Sequence, residues 1–461
     1  MSRETHLREG RQTVKLGLVK VVKELFPEDE LQISYSILEG VFCGLDNSAL
    51  SVREVREIDR RLREWTSSGA MIEEIARENG YYVYRVGGVE ARVVYPALLD
   101  PAEAEPFSIV PFSGGFIVDF GDREGKDGHP MIRPMLLSET FEKTRRWLDM
   151  LRIETVEDVN RYIAEGQAMS LVDLAEALHE KQIAGIADLI LRERRALRML
   201  LVAGPSSSGK STFIRRISTQ LLVAGLRPVS LSLDDYFLDR RLSPRDEHGG
   251  FDFERLEALD LPLLRRDLRA LIDGAPVDIP RFDFVTGTRS DGGELRLADD
   301  DVLVLEGIHA LNPALMERVP PGAVFKVYVS ALGGLNIDRI NRVSTTDTRL
   351  LRRLVRDVRT RGIGPDETLE RWQSVRRGEY DNVFRFQEDA NVMFNSSLMY
   401  EINALRPSAE AVLAQVEDAS PHREVRDRLL NLVSYFEPVD STRIPFNSIL
   451  REFIGGSAYG E

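Results

Sequence analysis

The run Gly204-Pro205-Ser206-Ser207-Ser208-Gly209-Lys210-Ser211, with Thr212 behind it, has the types and spacing of a phosphate-holding loop. Glycines let the backbone wrap so that its N–H groups face phosphate oxygens, and a helix starting there adds positive potential. Lys210 has the reach to touch β- and γ-phosphates, and Ser211 offers a hydroxyl to Mg²⁺. An accidental Gly/Ser-rich turn is the plain alternative. The context argues against it, because Leu200-Leu201-Val202-Ala203 reads as a buried strand and Ser211 to about Val223 as a helix. Such a loop implies a nucleoside triphosphate, ATP or another, with Mg²⁺. By itself it leaves kinase, ATPase, GTPase and motor open.

Other groups narrow the chemistry. Asp234-Asp235 follow the apolar run ending in Leu233, and carboxylates at the C-terminal end of a parallel strand face the ligand crevice. One could take the proton of an attacking hydroxyl while the other orients a base or a metal-bound water. A helix N-cap pair is the bland reading. Glu306-Gly307 closes the apolar run Val302 to Leu305, like the acidic, metal-organising end of a Walker B strand. Between Arg339 and Arg361 stand eight arginines (339, 342, 349, 352, 353, 356, 359, 361), opposed by Asp347 and Asp357. A solvated helix face is the ordinary meaning of such a run. Beside a phosphate site it reads as a mobile lid that neutralises the transferred phosphoryl group.

These groups need a scaffold. Short apolar runs at Met199–Ala203, Val229–Leu233, Val302–Leu305 and Val324–Val329 alternate with helical stretches, which predicts an α/β domain with a parallel sheet flanked by helices. A smaller α+β unit precedes it. There Val14 to Phe26 reads as a helix, Ser51 and Glu54 make a capping box for a second, and Tyr81–Val86 and Val89–Tyr95 flank Gly87-Gly88 as a hairpin. The expected boundaries are 1–135 for the α+β unit, 136–197 for a helical connector, 198–410 for the P-loop domain and 411–461 for a helical tail.

The 461 residues suit several domains, and 43% hydrophobic with 30% charged residues is a globular composition. A net charge of −14 argues against a general nucleic-acid coat. The single cysteine, Cys43, fits a reducing cytosol, and neither a leader nor a membrane span is expected. The six histidines (6, 129, 179, 248, 309, 422) form no zinc-ligand spacing.

Taken in order, the motifs resemble the uridine kinase and phosphoribulokinase family over roughly Met199 to Leu405. The resemblance rests on the P-loop, Leu231-Ser232-Leu233-Asp234-Asp235-Tyr236-Phe237, Phe251-Asp252-Phe253-Glu254, Pro280-Arg281-Phe282-Asp283-Phe284, Leu305-Glu306-Gly307-Ile308-His309 and Asp347-Thr348-Arg349-Leu350-Leu351-Arg352-Arg353. It implies Asp234 as the base that takes the proton from a sugar 5′-hydroxyl, and Arg349, Arg352 and Arg353 as lid arginines. It also implies Glu254 on ribose hydroxyls, Phe282 against the base, and Ser211 with Glu306 on the metal. Gly287 stands where the animal-type uridine–cytidine kinases carry a pyrimidine-reading histidine. Val19 to Trp65 resembles the second, editing-type domain of threonyl-tRNA synthetases, with Gln12 and Leu16 at the positions of its metal-binding histidines. The combination resembles a bacterial group of nucleoside kinases.

The implied activity is ATP- and Mg²⁺-dependent phosphorylation of a uridine- or cytidine-like nucleoside in a cytoplasmic homo-oligomer. Phosphorylation of a sugar phosphate or a pantothenate-like acceptor is one alternative. A nucleotide-switched regulator that contacts tRNA through its first unit is another.

Overall fold

The computed structural model describes residues 3–37, 39–121, 134–193, 197–245, 249–283, 286–316, 319 and 321–460. His129, His248 and Phe284 lie outside them. The chain opens with helix α1 (Arg3–Leu25), strands β1 (Leu31–Ile37) and β2 (Gly40–Leu45), and helix α2 (Val52–Thr66). The predicted capping box starts α2: Glu54 N–H donates to Ser51 Oγ, and Ser51 N–H donates to the Glu54 carboxylate at 2.8 Å. Its apolar stripe, Val55, Ile58, Leu62 and Trp65, is buried.

Next come β3 (Glu73–Glu78), β4 (Tyr81–Val86) and β5 (Val89–Val93), an antiparallel sheet that contains the expected hairpin. Strands β6 (Ser108–Phe112) and β7 (Gly115–Asp119) join β1 and β2 in a second antiparallel sheet of order β1-β2-β7-β6. Val14, Leu16, Ile33, Cys43, Ile58, Leu62 and Phe116 share the core of this unit.

Helices α3 (Met135–Met150), α4 (Val156–Ala164) and α5 (Ala168–Arg192) lead to the larger unit. It runs β8 (Met199–Ala203), α6 (Lys210–Val223), β9 (Arg227–Ser232), α7 (Leu261–Ile272), the hairpin β10 (Val277–Asp283) and β11 (Thr288–Leu295), then β12 (Asp301–Glu306) and β13 (Val324–Ser330). After these stand α8 (Thr345–Arg356) with a π-helical turn (Asp357–Arg361), α9 (Pro365–Asn382), β14 (Val392–Asn395), α10 (Glu401–Leu413), α11 (Arg423–Ser434) and α12 (Arg451–Ile454).

The five-stranded sheet has the order β14-β13-β8-β12-β9, and every pairing is parallel. Side chains alternate across it. Leu200 and Val202 of β8 enter one core, while Met199, Leu201 and Ala203 enter the other. Four of the strands fall where the apolar runs lie; β14, only four residues long, was not expected.

Two features depart from the expected organisation. Leu429, Leu432, Phe436, Ile449 and Phe453 belong to the same core as Leu200 and Val202, so the residues after 411 are built into the larger unit rather than trailing from it. The loop ahead of α8 is clamped to the first unit. Ile33 N–H donates to Arg339 O at 2.9 Å, Asn336 Nδ2 to Ile33 O at 2.8 Å, and Asn341 Nδ2 to Arg92 O at 2.8 Å.

Candidate active site

Strand β8 delivers the chain to the phosphate loop, and the loop's shape follows from its residues. A Cβ on Gly204 would lie 2.0 Å from the Val329 carbonyl oxygen of the neighbouring strand, so only glycine fits there. Gly209 at φ 83° is the residue from which α6 starts. Lys210 turns back across the loop, and its Nζ donates to Gly204 O at 2.8 Å and Pro205 O at 3.0 Å. Ser211 lies exposed in the first turn of α6, and Thr212 is buried behind it.

Four carboxylates act on Lys210: Asp234, Glu306, Glu452 and Glu379. Burial holds the Lys210 ammonium below its ordinary pKa, while these carboxylates push it back up. Burial and the adjacent Asp235 raise the Asp234 carboxyl above the usual carboxylate range, although Lys210 opposes them. Burial, then Asp234, pushes Glu306 up to about 7. A crowd of carboxylates that resists ionising is a fit for a divalent cation. Among the described residues no group of three acidic, His or Cys side chains is arranged to hold a metal by itself. Mg²⁺ commonly takes one or two protein ligands and completes its shell with phosphate oxygens and water, which suits Ser211 and Glu306.

The two adjacent aspartates have different surroundings. Asp235 Oδ1 accepts the backbone N–H of Phe282 at 3.3 Å, tying the loop after β9 to β10. Asp234 faces Lys210 and Arg361 electrostatically, and its own N–H is held by Ser232 Oγ at 3.3 Å.

The arginine run differs from the expected mobile lid. Arg339 pairs with Glu30 and Asp46 of the first unit, and burial holds Arg342 below its ordinary pKa. Arg349 and Arg352, 2% and 0% exposed, lie on the inner face of α8 and grip the phosphate loop from behind. Arg349 makes a bidentate pair with Glu379 at 2.6 and 2.7 Å, and its Nη1 also donates to Ser206 O at 3.0 Å. Arg352 makes a second bidentate pair with Glu401 and donates to Ser207 O at 3.2 Å and Ser396 O at 2.9 Å. Arg353 Nη1 donates to Ser206 Oγ at 2.8 Å. Glu379 also accepts Ser206 N–H at 2.6 Å, so Ser206 is held through its amide, carbonyl and hydroxyl. The sequence offered no signal for Glu379 or Glu401, because each partner lies tens of residues away along the chain.

The remaining candidates line the cleft. Glu254 is half-buried, with one carboxylate oxygen buried and unpartnered. Burial, then Glu379, pushes its carboxyl up to about 8. Gly378 of α9 passes so close that a Cβ there would lie 2.0 Å from Glu254 Cβ. Phe282 is 7% exposed and packs against Phe237 at 5.6 Å, so it presents a packed ring rather than an open platform. Gly287 turns the β10–β11 hairpin at φ 70°, and a Cβ there would lie 2.7 Å from Arg240 Nε. Arg240 therefore fills the space toward which a side chain at 287 would point.

Residues 199–400 match the model of the Phosphoribulokinase / Uridine kinase family. A uridine kinase from Deinococcus deserti is 35% identical over 172 residues, covering 37% of this chain and 73% of the relative. A uridine kinase from Staphylococcus aureus is 30% identical over 187 residues, covering 41% of this chain and 81% of the relative. The solved "Possible Uridine Kinase from Bacillus stearothermophilus" superposes over 47% of this chain and 98% of its own, at 21% identity and a TM-score of 0.32, too low to bear on function.

Proposed function

We propose that this chain, which belongs to the phosphoribulokinase / uridine kinase family, transfers the terminal phosphate of ATP to the 5′-hydroxyl of a uridine- or cytidine-like nucleoside. As a member of that family it is a phosphotransferase acting on a hydroxyl group. The observation that carries the finer reading is the division of labour between the two aspartates. Asp235 is committed to the Phe282 amide, which leaves Asp234, beside Lys210, as the carboxylate placed to accept the hydroxyl proton.

In this reading Lys210 and the N–H groups at the start of α6 hold the phosphates. Ser211 and Glu306 would hold Mg²⁺, which when bound neutralises charge on the β- and γ-phosphates. Arg349 and Arg352 act as positioning residues, because their guanidinium groups lock Ser206 and Ser207 while spending their charge on Glu379 and Glu401. Of the run, Arg353 acts electrostatically on Glu254 and Arg361 on Asp234. Glu254 would take ribose hydroxyls, and Phe282 would give the base an apolar edge. No side chain at 287 reads the base, so selectivity between pyrimidines should be loose. The unit of residues 1–135 is read, on the resemblance of Val19 to Trp65, as a tRNA-synthetase-like module with a tRNA-like ligand as candidate partner. Gln12 and the fully buried Leu16 stand at its metal-ligand positions.

The test is ADP release from ATP and Mg²⁺ across nucleosides, sugar phosphates and other hydroxyl compounds. Uridine and cytidine should be used within roughly tenfold of each other, about 1.4 kcal/mol, and Lys210→Ala should abolish release while retaining the fold. Turnover only with a sugar phosphate or a pantothenate-like compound would overturn the nucleoside assignment. Slow release stimulated by RNA without an acceptor would point to the regulator.

A further inference from the structure

On the nucleotide-site reading above, the N–H groups in the first turn of α6 hold a phosphate, and Thr212 there already has an anionic partner in Glu452 of α12. Glu452 Oε2 accepts from Thr212 Oγ1 at 2.9 Å and from Thr212 N at 3.4 Å. Among the described residues these are the hydrogen bonds of the Glu452 carboxylate, and no cation stands within ion-pair distance of it.

The segment that carries Glu452 is seated firmly. Ile449, Leu450 and Phe453 are each 0% exposed. Phe453 O accepts from Arg359 Nε at 3.1 Å, and the Phe453 ring lies 4.9 Å from the Arg352 guanidinium. Ile449 lies so close to the loop that a Cβ on Gly209 would come within 2.6 Å of its Cγ2. The Glu452 side chain itself is only half-buried. Its carboxylate can therefore leave Thr212 by rotating, while the helical turn beneath it stays packed. A nucleotide phosphate arriving at the same donors meets a like charge, and Glu452 also adds to the negative field that raises Glu306.

We propose that Glu452 is an internal competitor at the nucleotide site: its carboxylate occupies the Thr212 donors at the start of α6, and a nucleoside triphosphate must displace it to bind. This rests on the nucleotide-site reading given above. The α12 segment thereby sets the nucleotide concentration at which the site fills. When a protein is binding-competent for only a fraction of the time, its apparent affinity falls by that fraction. A carboxylate seated about nine-tenths of the time costs about tenfold in affinity.

The experiment is calorimetric titration of the full chain with Mg²⁺-ADP and, separately, with adenosine. Glu452→Gln removes the charge and should bind Mg²⁺-ADP about tenfold more tightly, with adenosine affinity unchanged. Glu452→Asp, one methylene shorter, keeps the charge but loses its reach to Thr212, and should fall between the two. It also tests the contact if the glutamine variant folds poorly by thermal unfolding. Unchanged or weaker Mg²⁺-ADP binding in both variants would overturn the competitor and leave the nucleotide site standing. Failure of wild type and variants alike to bind Mg²⁺-ADP would overturn both.

Discussion

The phosphate loop separates two charged neighbourhoods that behave in opposite ways. Behind it, Arg349 with Glu379 and Arg352 with Glu401 are almost inaccessible to solvent, yet each guanidinium meets its carboxylate through two hydrogen bonds. In front of it, Lys210 faces Asp234 and Glu306 without such pairing, and burial pushes these groups toward their neutral forms. Bidentate pairs hold geometry, and each arginine's charge is largely engaged by its own carboxylate, although Glu379 still reaches Glu254 through its field. The unbalanced cluster can change protonation or take a cation, so chemistry belongs on that side. The same contrast explains why an arginine-rich helix beside a phosphate site need not be a lid: charge already spent on a buried partner is not available to a ligand.

The largest effect should come from the front. Asp234→Asn keeps the shape and removes the proton acceptor, so steady-state turnover should fall about 10²–10⁴-fold with little change in nucleotide affinity. If Asp235→Asn is the crippling change and Asp234→Asn is mild, the division of labour between the aspartates is reversed.

Behind the loop the effect should appear as stability. Glu401→Gln leaves the Arg352 guanidinium buried without its counter-charge, which typically costs about 3–5 kcal/mol. Chemical denaturation of the variant should show a loss of that size. A loss below about 1 kcal/mol would place this pair with exposed ion pairs instead.

The smallest effect is a slope against pH. Glu254, with a folded pKa of about 8 against an ordinary 4.5, binds its proton more tightly folded than unfolded. Its contribution is therefore most favourable at low pH and declines as pH rises from the unfolded value through the folded one. Glu254→Gln cannot ionise, so its melting temperature relative to wild type should be higher at pH 8 than at pH 5. Parallel melting curves at the two pH values would mean that Glu254 is already well solvated.

Much of the front was legible along the chain. The phosphate loop, Asp234 and Glu306 each adjoin a short apolar strand, and parallel strands bring their C-terminal ends to one edge, so local pattern and topology together assemble the cluster. The capping box of α2 was equally legible, because its partners are three residues apart. What lay behind the loop was not. The arginines could be counted, but Glu379 and Glu401 sit 30 and 49 positions from their partners, and no periodicity couples residues so far apart. Phe282 was legible, through the resemblance, as an aromatic lying against a base but not as a buried ring, since Phe237, 45 residues earlier, packs against it.

The sequence alone therefore determined the α/β class, the identity of the phosphate loop and the carboxylates that face it, because each is written in neighbouring residues. Tertiary structure decided which charges are spent and which remain. It turned Arg349 and Arg352 from lid candidates into anchors of Ser206 and Ser207, and it carried Glu452 of α12 to Thr212. The physical reason is that electrostatic partnership depends on distance and burial in space, and neither can be read from separation along the chain.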